Sequence, residues 1–152
     1  MSSTLFTPYK LGPVTLRNRT IRSAAFESMG KDFGPTRQLK DYHVAVARGG
    51  VGMTTLAYAA VCRSGLSFNK QLWLRPEIVP GLREITDAVH REGAAAAIQI
   101  GHCGNMTHWT TAGQMPIGAS TGFNLYAYTS VRGMKRREIE QVARDFGTAV
   151  RT

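Results

Sequence analysis

Two apolar runs set the limits on what this chain can fold into. Val51 to Val61 carries no charge, contains β-branched residues and does not alternate apolar with polar positions. That is the pattern of a strand covered on both faces, as in parallel sheets. Ala94 to Ile100 repeats the pattern, and a shorter strand is expected at Thr20–Ala25. Helix-spaced segments lie between the strands. In Thr36–Arg48, residues Leu39, Tyr42, His43, Val46 and Ala47 fall on one face, and Gly49-Gly50 ends the helix. Pro80 can open the next helix, in which Leu82, Ile85, Ala88 and Val89 form the apolar stripe and Gly93 the stop. A last helix is expected from about Arg136, with Ile139, Val142, Ala143, Phe146, Ala149 and Val150 on its buried side. Leu5 to Thr15 reads as two short extended pieces around a Gly-Pro turn, and Gly101 to Met134 as a long irregular segment. Strand, helix, strand, helix, strand, loop, helix is the order of a parallel α/β sheet.

The 152 residues exclude a complete eight-stranded βα barrel, which takes about 250. Three parallel strands also leave both sheet edges with unpaired backbone groups. A dinucleotide-binding unit is the usual short alternative, but Gly30, Gly34 and their neighbours do not supply G-x-G-x-x-G after the first strand, and there is no P-loop.

Nineteen Lys and Arg against ten Asp and Glu give a formal charge of +9. The arginines are dispersed; only Arg132, Lys135, Arg136 and Arg137 cluster, and no aromatic residues alternate with them to stack bases, which argues against nucleic acid. Cys62 and Cys103 form no C-x-x-C pair, and His102, Cys103 and His108 lack a fourth metal ligand, so two free thiols and no metal are expected. Met1 to Tyr9 lacks a signal-peptide pattern and no run is long enough to cross a bilayer, so the expectation is a cytoplasmic protein without a membrane partner.

Several segments, in order, resemble the NADH:flavin oxidoreductase family, the old yellow enzymes. Leu5-Phe6-Thr7-Pro8 with Leu16-Arg17-Asn18-Arg19 is similar to the family's approach to its first strand, and Gly49-Gly50-Val51-Gly52 to the approach to its second. Leu72-Trp73, Pro80-Gly81-Leu82 and His90-x-x-Gly93 resemble the lead into the third, and Gln99-Ile100-Gly101-His102-Cys103-Gly104 that strand's end. Met134, Glu138-Ile139 and Phe146 resemble the helix that follows. The resemblance implies a partial (β/α)8 TIM barrel: residues 1–152 would be its first three βα units behind an N-terminal β-hairpin cap, an incomplete domain. It implies FMN over the C-terminal strand ends, NAD(P)H as reductant and a small-molecule substrate. In the family, the fourth strand carries the His/His or His/Asn substrate-binding pair and the phosphate of FMN sits near strands seven and eight.

By the same resemblance, Gln99 faces the paired edge groups of the flavin, because a side-chain amide offers donor and acceptor together. The alternative is a Gln that satisfies backbone groups at the barrel top. Ala24, Ala25 and Phe26 stand where the family makes backbone contacts to the flavin. Neither Ala25 nor Phe26 replaces the Thr or Cys that tunes it there, and Phe26 is either ring-side or plain core. Tyr58 either lends its hydroxyl to the site or points into packing. His102 is expected to hold the loop, Asn105 replaces the family's Arg, and Lys135 replaces a Thr or Ser, which removes half a capping box at a cost of ~1 kcal/mol. No catalytic residue is assigned. The expected function is the N-terminal part of an FMN-dependent NAD(P)H oxidoreductase, inactive without a complementary barrel half. The alternatives are a non-catalytic truncated remnant or half-barrel that folds only by association, with itself or with another half-barrel, and, less favoured, a basic nucleic-acid-binding domain.

Overall fold

The computed structural model describes residues 3–152. After a 3-10 turn at Thr4–Phe6, strands β1 (Tyr9–Leu11) and β2 (Val14–Leu16) form an antiparallel hairpin, and Gly12 takes the left-handed φ of +56° that its turn requires. The parallel sheet comprises β3 (Ile21–Arg22), β4 (Met53–Ala60), β5 (Leu72–Trp73) and β6 (Ala95–Gly101). At the centre lies β4, with β3 beside its start, β5 beside its end and β6 along its other side. Helices α1 (Arg37–Arg48) and α2 (Val79–Arg91) cover one face. The core between them and the sheet contains Leu39, Ala47, Leu56, Ala59, Leu72, Ile78, Ile85 and Val89.

Sequence signals set the boundaries. Thr36 caps α1 by accepting the Leu39 N–H at 3.2 Å. After α1 it is Gly50, not Gly49, that turns left-handed, with φ +99°. A 3-10 turn at Pro76–Ile78 leads into α2, which starts at Val79, one residue before Pro80. The Thr20–Ala25 strand shrinks to Ile21–Arg22, because among the described residues no strand pairs with the chain from Ser23 to Ala25.

Arg17 links the N-terminal ends of the strands. Its Nε donates to Val51 O at 3.0 Å, Nη1 to Glu92 O at 2.7 Å and Nη2 to Ala47 O. One guanidinium therefore ties together the C-terminal ends of α1 and α2 and the lead into β4, sharing Ala47 O with the Gly50 N–H at 3.0 Å.

The stretch expected to be irregular, residues 101–134, contains structure of its own. A short helix α3 (Trp109–Ala112) precedes β7 (Ile117–Gly118), β8 (Gly122–Asn124) and β9 (Thr129–Gly133), with β9 parallel to β7 and antiparallel to β8. The β8–β9 turn is organised by Asn124, whose Oδ1 accepts the N–H groups of Tyr126 (2.8 Å) and Ala127 (3.2 Å).

Helix α4 spans Arg136–Arg151. Lys135 keeps half of the cap: its backbone N–H donates to Glu138 Oε2 at 2.7 Å, while Arg132 grips the same carboxylate with two bonds of 2.9 and 2.6 Å. The expected burial of the α4 stripe is not met. Ala149 is buried, but Ile139 is 55% and Val150 75% exposed, because only a small part of the helix rests on β6. Among the described residues no strand pairs with the outer edge of β3 or of β6.

Candidate functional site

The site forms where β4 and β6 end. Their parallel ladder runs in register from Met53↔Ala95 to Leu56↔Ile98 and resumes at Ala59↔Ile100, so Ala57 and Tyr58 together oppose Gln99. This one-residue bulge re-aims the strand and puts Tyr58 and Gln99 on one concavity. The concavity, about 320 Å³, is completed by Ile100, Gly101, His102, Cys103 and Met106. The absent side chain of Gly101 makes room for the Tyr58 ring: a Cβ there would lie 3.3 Å from Tyr58 Cδ2.

The Tyr58 hydroxyl is hydrogen-bonded to Ser67 Oγ. Ser67 in turn donates twice to Gln71 Oε1, through its N–H at 2.7 Å and its hydroxyl at 3.1 Å. Burial of the ring raises the Tyr58 pKa, against the opposing effect of the Ser67 bond. Tyr58 thus contributes its ring to the concavity and sends its hydroxyl into the protein. Gln99 is exposed, and its side-chain amide has no hydrogen-bond partner among the described residues. A free amide at the end of a parallel strand is placed to pair with the edge of a planar heterocycle.

Of the other expected residues, Phe26 reaches this place through aromatic contacts. Its ring centroid is 5.9 Å from that of Tyr58 and 5.1 Å, stacked, from Phe68. Being 37% exposed, it is a rim residue and not part of the core. Ala24 and Ala25 run along the unpaired chain beyond β3 and do not line the concavity. His102 lines it but is held by the loop: Nδ1 accepts the Gly104 N–H at 3.0 Å, and Nε2 lies 3.2 Å from Ser64 Oγ. Asn105 lies outside, its carbonyl accepting from the Asn124 amide.

The titratable lining is neutral near pH 7. Burial lowers the His102 pKa and pushes the Cys103 thiol up to about 11. Such a surface binds and orients a group and does little proton transfer of its own. Among the described residues no three His, Cys, Asp or Glu side chains are placed to hold a metal, and no helix is long and apolar enough to cross a membrane.

Ser67, Phe68 and Gln71 were missed by sequence reasoning. They sit in a loop without periodicity, and the one hint is polar Gln71 beside apolar Leu72.

Residues 4–152 match the model of the NADH:flavin oxidoreductase / NADH oxidase family. The chain is 40% identical over 147 residues to 4,4'-dithiodibutanoate disulfide reductase of Rhodococcus erythropolis, covering 97% of itself and 36% of that protein. It is 32% identical to NADPH dehydrogenase of Listeria monocytogenes over 151 residues, or 44% of that protein's length. Its fold superposes on morphinone reductase in complex with tetrahydroNAD with a TM-score of 0.86 at 22% identity, covering 97% of this chain and 45% of that one. It also superposes on the old yellow enzyme homologue of Zymomonas mobilis, again at 0.86, with 23% identity and 97% and 44% coverage. These structures establish the fold as an open segment of a TIM barrel. The chain spans less than half the length of each of these relatives.

Proposed function

Because this chain belongs to the NADH:flavin oxidoreductase / NADH oxidase family, we propose that it is the N-terminal part of an FMN-dependent NAD(P)H oxidoreductase working in the cytoplasm. FMN, when bound, supplies hydride transfer from NAD(P)H to an activated alkene or similar small acceptor. The observation that carries this reading is the unpartnered Gln99 amide beside Tyr58, at the C-terminal strand ends where barrel enzymes place their sites. In it, Gln99 would donate to and accept from the pyrimidine edge of the flavin, and the backbone at Ala24, Ala25 and Phe26 would border the part of the cofactor that extends beyond the concavity. The Tyr58 ring walls the concavity with its hydroxyl turned away, and Phe26 shields the rim from water. The remaining strands come from a complementary barrel half, which also supplies the substrate-binding pair and the phosphate site.

Titration of FMN with the chain, followed by quenching of flavin fluorescence, tests this. Weak saturable quenching is expected, reduced at least tenfold in Gln99→Leu, with no NADH-driven flavin reduction. Equal quenching by both proteins would refute the role of Gln99. Tight one-to-one binding with turnover would refute the need for a complementary half.

The exposed Ile139 and Val150 face of α4 favours a second reading, a non-catalytic half-barrel that self-associates. Sedimentation decides between them: a monomer with a cooperative melt removes the second reading.

A further inference from the structure

Beyond Arg22 the chain leaves its ladder, and Ala24–Phe26 have no paired strand. Charged side chains take the ladder's place. Arg22 Nη2 donates to Ala25 O at 3.2 Å, while Nη1 donates to Glu27 Oε1 at 2.6 Å and to Thr55 O. The other oxygen of Glu27 accepts the Ala57 N–H at 3.0 Å, and the Glu27 N–H donates to Ala57 O at 3.4 Å. Behind them His43, fully buried, places Nε2 3.4 Å from Glu27 Oε1 and Nδ1 2.8 Å from Thr54 Oγ1. The Glu27 side chain is only 4% exposed. Burial alone would raise its pKa, but His43, the Ala57 N–H and Arg22 outweigh that and hold it below the ordinary value.

The loop beyond is held against local preference. Ser28 sits at a left-handed φ of +55°, and a Cβ on Gly30 would lie 2.6 Å from Lys70 O. Strained backbone persists where the surroundings over-determine it, and here the Gly30 N–H is fixed to Lys70 O at 2.9 Å, four residues beyond Phe26.

We propose that Glu27, working with Arg22, is a positioning residue for the site: it sets the Ala24–Phe26 backbone against the Ala57–Tyr58 bulge. The residue touches neither the concavity nor its contents. It acts through Ala57, the first residue of the bulge, and through Arg22 on Ala25 O. A generic stabilising ion pair has no need to join these particular groups. The inference rests on the reading of this rim as the flavin site, and its test separates the two.

Amide hydrogen exchange in the full chain is compared for the wild type, Glu27→Ala and Glu27→Gln. In Glu27→Ala the Ala57 amide is expected to exchange about tenfold faster, the loss of one charge-assisted bond, and the Phe26 and Tyr58 ring resonances to shift. Ladder amides between Met53–Leu56 and Ala95–Ile98 should change by less than about threefold. Glu27→Gln, whose amide oxygen still accepts from Ala57, should bring that amide back to within about threefold of wild type. Uniform loss of protection along the ladder would make Glu27 a stabiliser of the whole fold and overturn the proposal, as would unchanged exchange at Ala57. FMN quenching on the same samples isolates the flavin reading. Wild-type chain that does not quench refutes that reading and leaves the exchange result to decide the role of Glu27. Equal quenching by wild type and Glu27→Ala overturns the positioning role.

Discussion

Replacing Arg17 by Met keeps most of the apolar stem and removes three bonds to backbone carbonyls, those of Val51, Glu92 and Ala47. Hydrogen bonds from a charged donor contribute about 1.5–3 kcal/mol each. The residue is half-buried, so water can reach part of the vacated space and the low end of that range applies. Two bonds lost outright and one replaced by solvent give a destabilisation of about 3–4 kcal/mol. That is a large share of the 5–15 kcal/mol typical of a domain. The control is Arg136→Met, which removes an ion pair to Glu140 whose partners are 93% and 51% exposed and should cost under about 0.5 kcal/mol. Urea unfolding followed by far-UV circular dichroism reads both. With a slope of about 2 kcal/mol/M, Arg17→Met lowers the midpoint by roughly 1.5–2 M with the slope unchanged. Arg17→Lys falls between, because one ammonium cannot reach three carbonyls set around a planar fork. A midpoint for Arg17→Met indistinguishable from that of Arg136→Met would show that water satisfies these carbonyls and that Arg17 joins nothing.

Further expectations concern the titratable groups and the floor of the concavity. The Arg132 guanidinium, then the Lys135 N–H, hold the Glu138 pKa down at about 2 against an ordinary 4.5. A depressed carboxylate stabilises above its unfolded pKa, so this contribution is present above pH 4.5 and disappears as pH falls toward 2. Acid titration of helicity should therefore show a step in that window that Glu138→Gln lacks. With its pKa at about 11 instead of 9, Cys103 should carry about 100-fold less thiolate at pH 8 and alkylate at least about tenfold more slowly than an exposed thiol; labelling at the rate of an exposed thiol would contradict its burial. Tyr58→Phe removes the bond to Ser67 in a half-buried setting and should cost about 1–2 kcal/mol in urea unfolding. Gly101→Ala places a methyl 3.3 Å from the Tyr58 ring and should alter the near-UV spectrum at a cost of about 1–3 kcal/mol.

The parts of the fold legible in the sequence are those that local chemistry dictates. Thr36, Gly50 and Gly93 bracket helices because capping and left-handed turns depend on the residue itself. The two apolar runs gave β4 and β6 to within two residues at each end. The short strands of residues 117–133 escaped because two to five residues carry no readable period. The α4 stripe showed which face is apolar, but a period cannot say what covers it. At the site, the family resemblance pointed to Gln99 and Tyr58, and the strand-end position of Gln99 is consistent with it. The direction of the Tyr58 hydroxyl depends on Ser67, and the hold on Ala25 and Ala57 depends on Arg22 and Glu27. Those partners meet only when the chain has folded back on itself.

The bulge on β4 divides one strand into two independent reading frames. Up to Leu56 each residue pairs with the β6 position 42 further along the chain, and from Ala59 the offset is 41. The residues up to Leu56 and those from Ala59 therefore obey different face assignments although they share one backbone, and Leu56 and Ala59 both reach the core. Removing a single residue at position 57 or 58 would merge the two frames into one regular ladder and leave one residue, not two, to face Gln99. The wall of the concavity is in this sense an insertion one residue long.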